Sequence, residues 1–301
     1  MKKRLLIIGA AGVRLKLTCE CLPYAGEKTD GVKYAYSPDC LAGAAAVCAA
    51  RMGMDSLLLT RVGNDANGTK LLNLLREKGV NVGCAVKDSK APTSLTVMLE
   101  EDAADTRMIC YRGASMNLSE GDVEGAFISY PDCVLLRLEG STEGIRATES
   151  FAAKAETPLF VCASDIKKAE DVYLPKKAHT FIGDAASVLA FTGIAPVNPD
   201  SALRAAFELS RKTEAKYLIF RMNNGCIYLY DGTLGKILAK TSKGHFFCDV
   251  FAPAYISEYE RCGNIYSSAR FALDAVSLWE ACGESLDSVP TAAEVRRDAG
   301  N

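Results

Sequence analysis

Histidine is nearly missing from this 301-residue sequence: His179 and His245 are the only two. A zinc site needs clustered ligands at short spacing, and two distant histidines cannot supply one. They also leave little room for a hydrolase triad, and no Gly-x-Ser-x-Gly elbow occurs. Cysteine is plentiful, twelve residues between Cys19 and Cys282, but there is no Cys-x-x-Cys. Only Cys19 and Cys21 lie close, and in a strand they would share one face. No metal is expected; the thiols are expected reduced, packing as small hydrophobes. No apolar run approaches the roughly 20 residues that span a bilayer. The opening Met-Lys-Lys-Arg with Leu5 to Gly9 is too short for a signal peptide and runs into a glycine turn. A buried first strand and a cytoplasmic protein are expected, with no membrane partner. Charge of one sign is lacking too: 35 basic residues face 37 acidic ones, a net of -2. No basic block interleaves with aromatics, so a nucleic-acid surface is not expected.

What is present is apolar residue, 49% of the chain, enough for a large core. Strand-like runs alternate with helical ones. Leu5 to Ile8, Leu57 to Val62, Val134 to Leu138, Leu159 to Cys162, Thr180 to Ile182 and Tyr217 to Phe220 read as buried strands. Ala42 to Met52, stopped by Gly53, reads as a helix, as do the stretches from Asp249 to Arg261 and Ser267 to Ala281. Asn198 or Asp200 can cap a helix carrying Leu203, Ala206 and Leu209, and Thr291 with Glu294 has capping-box spacing. This rhythm predicts a mostly parallel sheet covered on both faces. Two stretches break it. Residues 13–36 read as short strand-like pieces between turns, and Ser94 to Leu99 with Arg107 to Tyr111 reads as a strand pair; together they suit a small β subdomain. Ligands are expected beyond the C-terminal strand ends.

Three motifs invite a functional reading. Gly63-Asn64-Asp65-Ala66-Asn67-Gly68-Thr69-Lys70 nearly spells a P-loop, but Thr69 precedes Lys70 where the phosphate-binding order is reversed. A structural turn with Asn67 or Gly68 near the helix cap is the better reading. Gly9-Ala10-Ala11-Gly12 lacks the three-glycine spacing of a dinucleotide fingerprint, and an oxidoreductase would rest on it alone. Asp249 opens an apolar helix, where a carboxylate caps the helix and favours its dipole.

Taken in order, further landmarks resemble the ribokinase-like, or pfkB-type, carbohydrate kinases. They are Leu22-Pro23 with Gly26-Glu27, Ala44 to Gly53, Val62 to Asp65 with Gly68, Gly79-Val80, Thr93, Arg112-Gly113-Ala114, Leu138-Glu139, Phe191-Thr192-Gly193, Gly283 and Pro290-Thr291. The resemblance covers nearly the whole chain. It implies a single domain over 1–301, a three-layer α/β/α fold with a mostly parallel central sheet, and a small β-lid inserted at about 13–36 and 93–112. It implies transfer of the ATP γ-phosphoryl to a hydroxyl of a sugar or sugar-like molecule, with Mg2+, and a homodimer paired through the lid.

Within that resemblance Asp249 takes the position of the catalytic base. Departures surround it. The glycine-rich anion hole reads Phe246-Phe247-Cys248. The substrate positions fall at Arg14, Asp39, Cys40 and Ala44, with Arg112 nearby. The nucleotide positions read Asp184 and Ser187, then Arg221 with Gly225. Arginine at position 14 puts a bidentate donor where an acceptor is usual and favours an anionic group on the substrate. Two readings follow: a divergent kinase, or a catalytically impaired relative that binds a ligand or partner.

Overall fold

The computed structural model describes residues 2–39, 41–101, 106–241, 247–283 and 285–298. In chain order the strands are β1 (Arg4–Ile8), β2 (Gly12–Cys19), β3 (Gly31–Pro38), β4 (Asp55–Leu59), β5 (Arg61–Gly63), β6 (Val86–Asp88), β7 (Ser94–Glu101), β8 (Thr106–Tyr111), β9 (Cys133–Arg137), β10 (Leu159–Ala163), β11 (Thr180–Gly183), β12 (Tyr217–Arg221), β13 (Cys226–Tyr230) and β14 (Gly235–Thr241). The helices are α1 (Ala42–Arg51), α2 (Ala66–Glu77), α3 (Glu120–Phe127), α4 (Thr142–Lys154), α5 (Ala185–Thr192), α6 (Pro199–Lys212), α7 (Phe247–Cys262), α8 (Ile265–Ala281) and α9 (Ala292–Asp298).

The central sheet has eight strands in the order β14-β13-β12-β11-β10-β9-β1-β4. The strands from β12 to β4 run parallel, and β13 and β14 add an antiparallel edge. The β1 side chains explain the continuous apolar runs. Leu5 and Ile7 pack into one core with α1, α2, α7, α8 and α9, while Leu6 and Ile8 pack into the other with α3 to α6. A strand covered on both faces has no position where a polar residue reaches water. The result is the three-layer α/β/α arrangement expected.

Residues 13–36 differ from the expectation of short pieces. They form two long strands, β2 and β3, paired antiparallel, with β2 also running parallel to β7 and β7 antiparallel to β8. The turn-forming residues Pro23 and Gly26 are confined to the connection between β2 and β3. Cys21 falls in that connection, so it does not share a strand face with Cys19; Cys19 is buried and Cys21 exposed. The run Leu57 to Val62 is two strands rather than one. It breaks at Thr60, because β5 leaves the central sheet to pair with β6.

Helix starts follow the capping residues. Asn198 caps α6 in a reciprocal capping box, and Thr291 Oγ1 and Glu294 exchange bonds at the start of α9. The P-loop-like segment is a structural turn with Asn67 and Gly68 beside the helix cap, as expected, and the α2 cap itself is Asp65: its carboxylate accepts from Gly68 N–H at 2.8 Å and from Thr93 N–H at 2.8 Å. That carboxylate ties the helix to Thr93, just before the lid strand β7, which gives the segment a structural role. All eleven described cysteines are free thiols.

Candidate active site

The strands β1, β9 and β10 end beneath the lid, and a cavity of about 180 Å³ opens there. Its floor is Ala10, Arg137, Glu139 and Ser164; the lid supplies Arg14, Thr96 and Cys110; α7 supplies Cys248 and Asp249. The crevice beyond the carboxyl ends of parallel strands is the expected place for a ligand.

Arg137 dominates the floor. It is the last residue of β9, whose other residues are Cys-Val-Leu-Leu, and it is 2% exposed. Its Nε donates to both oxygens of Glu139 at 3.2 Å, and its Nη2 donates to Glu139 Oε1 at 2.6 Å and to Ser164 Oγ at 3.0 Å. Its Nη1 donates to Asp249 Oδ1. Room for the arginine comes from Gly9: a Cβ there would lie 2.9 Å from Arg137 Cβ and 3.1 Å from Ala42 Cβ. The first glycine of Gly9-Ala10-Ala11-Gly12 is thus a packing requirement, not a nucleotide contact.

Asp249 stands in the first turn of α7 and is 2% exposed. Its second oxygen, Oδ2, is buried and accepts no hydrogen bond among the described residues. Burial pushes its carboxyl up to about 6; Arg137 opposes the shift and the nearby Glu139 and Asp39 charges add to it. Glu139 moves the other way. Burial works to raise it, but Arg137 outweighs burial and holds it below the ordinary carboxylate range. One guanidinium between two carboxylates cannot satisfy both, and the bidentate partner is the more acidic one.

A second cavity of about 390 Å³ lies alongside, lined by Asp184, Ala185, Arg221 and Asn223. Ser164, Asp165 and Cys248 line both cavities. Asp165 has φ 55, a left-handed backbone that costs a non-glycine residue about 1 kcal/mol or more. Its N–H donates to Asp184 Oδ2 at 2.9 Å.

The structure gathers many of the expected site residues and disperses others. Asp249, Cys248, Arg14, Asp39 and Arg112 line the first cavity. Arg14 does not wait for an anion: its Nη2 donates to Asp39 Oδ1 at 2.5 Å, and Asp39 Oδ2 accepts from Thr96. Arg112 reaches the carbonyl of Glu139 at 2.9 Å. Ala44 is buried within α1 and lines neither cavity. Asp184 and Arg221 line the second cavity. Ser187 is fully buried, and its hydroxyl accepts from Ile166 N–H at 3.2 Å. Gly225 lies in the turn between β12 and β13, with φ 86, and is outside the cavity lining. The backbone of Phe247 begins α7. Cys40 and Phe246 lie outside the described residues. Missing from the expectation were Arg137, Ser164 and Asp165. Arg137 had a signal: a charged residue in an otherwise apolar strand is almost never fully buried unless paired.

Comparison with known proteins agrees with this fold. The pfkB family carbohydrate kinase profile matches residues 2–243, ending short of Asp249. The ribokinase of Haemophilus influenzae is 21% identical over 310 aligned positions, covering 98% of this chain and 97% of that protein. The structure of Arabidopsis thaliana ribokinase complexed with ribose and ATP superposes with a TM-score of 0.84 at 18% identity, covering 99% of this chain and 98% of that one. Ribokinase from Cryptococcus neoformans in complex with ADP gives a TM-score of 0.76 at 17% identity, covering 99% of each chain.

Proposed function

Because the chain belongs to the pfkB family of carbohydrate kinases, we propose that it transfers the γ-phosphoryl of ATP to a hydroxyl of a sugar or sugar-like molecule. The family supports a sugar-kinase-like function and gives no support to the impaired, binding-only reading. The observation that carries the finer proposal is the buried carboxylate of Asp249, without a partner on Oδ2 among the described residues, beside Cys248 where the two cavities meet. The acceptor hydroxyl occupies the first cavity and ATP the second. The hydroxyl oxygen bonds to the γ-phosphorus, the bond from that phosphorus to the β–γ bridging oxygen breaks, and ADP leaves with the electron pair. Asp249 takes the hydroxyl proton. A base ionised near neutral pH suits this role.

The second cavity is large enough for part of a nucleotide, and Arg221 brings a cation to its wall. No group of three or more His, Cys, Asp or Glu side chains able to hold a metal occurs among the described residues. A magnesium ion held chiefly by nucleotide phosphates needs only one or two carboxylates. Asp165, which lines both cavities, and Asp184, which lines the second, are the candidates. Such an ion would neutralise phosphate charge during transfer.

The substrate is proposed to be anionic. Arg14 and Arg137 already hold carboxylates, whereas the hydrogen bond of Arg112 goes to a carbonyl. Arg112 is therefore the cavity arginine placed to receive a carboxylate or phosphate of the substrate. We also propose a homodimer through the lid, whose exposed Val32, Tyr34 and Ile109 offer an apolar surface; a monomeric mass in light scattering would end that proposal. The function is tested with Mg-ATP and a panel of pentoses, hexoses, aldonic acids and sugar phosphates. Turnover that Asp249→Asn abolishes is expected; no turnover and no stabilisation by Mg-ATP would overturn it.

A further inference from the structure

We infer that Arg137 is the positioning residue of this site: it grips Asp249 by Oδ1, couples it to Glu139, and leaves Oδ2 as the oxygen that accepts the substrate proton. The inference rests on the kinase reading for the word proton acceptor, but the grip itself is a property of the fold.

Three observations carry it. First, every described hydrogen bond of Arg137 goes to a side chain of the cavity: Glu139, Ser164 and Asp249. A buried ion pair is a poor device for stability, because desolvation offsets most of its attraction. An arginine kept beneath a cavity, bonded only to that cavity's residues, is explained by what it does there. Second, the backbone makes way for it. Gly9 leaves no Cβ in the space that the arginine stem fills. Third, the two oxygens of Asp249 are unequal. Oδ1 holds the guanidinium, and Oδ2 is a buried acceptor with no donor among the described residues. An unmatched buried acceptor is costly and is satisfied when an O–H donor arrives.

The guanidinium also keeps two neighbouring carboxylates from sharing a proton. The titratable groups that act on the Asp249 carboxyl are Arg137 and Glu139 at the end of β9, Asp39 after β3 and Cys48 on α1; Cys162 on β10 and Cys248 on α7 flank Arg137, and Arg14, Arg112 and Asp165 line the same cavity, Arg14 bonded to Asp39 and Arg112 to the Glu139 carbonyl. Among these cations only Arg137 has a described hydrogen bond to the Asp249 carboxylate. Without it, Asp249 and Glu139 behave as a carboxyl pair with one member protonated near neutral pH. Arg137 has Nε and Nη2 engaged with Glu139 and Ser164, so it acts through Asp249 rather than on the phosphoryl group.

The test uses Arg137→Gln and Arg137→Lys in the full chain. The Asp249 side-chain carbon is followed by NMR from pH 4 to 9 with ¹³C-aspartate label, assigned by its loss in Asp249→Asn. In Arg137→Gln the titration midpoint is expected to move up by about one pH unit or more. With whichever sugar of the panel the wild type phosphorylates, the acid limb of kcat should move by the same amount. At neutral pH kcat should fall by roughly a hundredfold while KM changes less. Arg137→Lys keeps the charge without the planar fork, so it should leave the midpoint near the wild-type value yet recover little of kcat. If Arg137→Gln does not fold, Arg137→Lys carries the same decision: full kcat there overturns the positioning role. An unmoved Asp249 midpoint in Arg137→Gln overturns the inference. Absence of turnover in the wild type, with the midpoint shifted as stated, overturns the kinase reading and leaves the grip standing.

Discussion

Replacing Asp249 with asparagine should abolish turnover and, above pH 6, make the protein harder to unfold. The carboxyl rises from an ordinary 3.8 to about 6 on folding, chiefly through burial. The sign follows from proton counting. Between pH 4 and pH 6 the folded chain holds a proton here that the unfolded chain has released, so stability falls as pH rises. Below pH 4 both states are protonated and the residue contributes nothing. Above pH 6 both are ionised, and the full cost of a buried charge is present. A shift of about two pH units at about 1.4 kcal/mol each gives a cost of roughly 3 kcal/mol. Asparagine resembles the protonated carboxyl. Its amide oxygen can keep the Arg137 bond, and the Arg137–Glu139 pair is then balanced. Urea unfolding of the two proteins from pH 4 to pH 8 measures the difference, in which all other titrations cancel. The variant should match the wild type near pH 4 and exceed it by about 3 kcal/mol at pH 8, or on the order of 6 °C in melting temperature. A difference that stays flat with pH, or a variant less stable at pH 8 than at pH 4 relative to wild type, would refute the reasoning. A residue that destabilises its own fold is kept for what it does there.

Gly9→Ala places a methyl against the Arg137 stem and Ala42; thermal unfolding should show a loss of about 1–3 kcal/mol, the usual cost of overpacking. Asp65→Ala removes the α2 cap together with the bond to the Thr93 hydroxyl at 2.7 Å, and a loss of about 2 kcal/mol is expected in chemical denaturation. Arg112→Gln should raise KM for an anionic substrate about tenfold or more while leaving a neutral sugar of the same size within twofold, read by steady-state kinetics; equal effects on both would remove Arg112 as the anion contact.

Much of the architecture is legible from local pattern. Leu5 to Ile8 must be a two-faced strand because it has no polar position, and Asn198 and Thr291 start helices because their side chains meet the N–H groups left open there. The lid was legible as a break in rhythm but not as two long strands. Half-buried strands such as β2 carry Arg14 and Lys16 among apolar neighbours, and their pairing comes from β3 and β7, which lie elsewhere in the chain.

The site divides along the same line. Asp249 at the head of an apolar helix, and the order of landmarks around it, are properties of the sequence. Which charges meet is not. Arg14 could be read as a free anion receptor until β2 and the end of β3 came together and gave it Asp39. Arg137 and Asp249 are 112 positions apart and touch only because the end of β9 and the head of α7 converge beneath the lid. Electrostatic pairing depends on distance and burial, and both are set by the packed structure rather than by order along the chain.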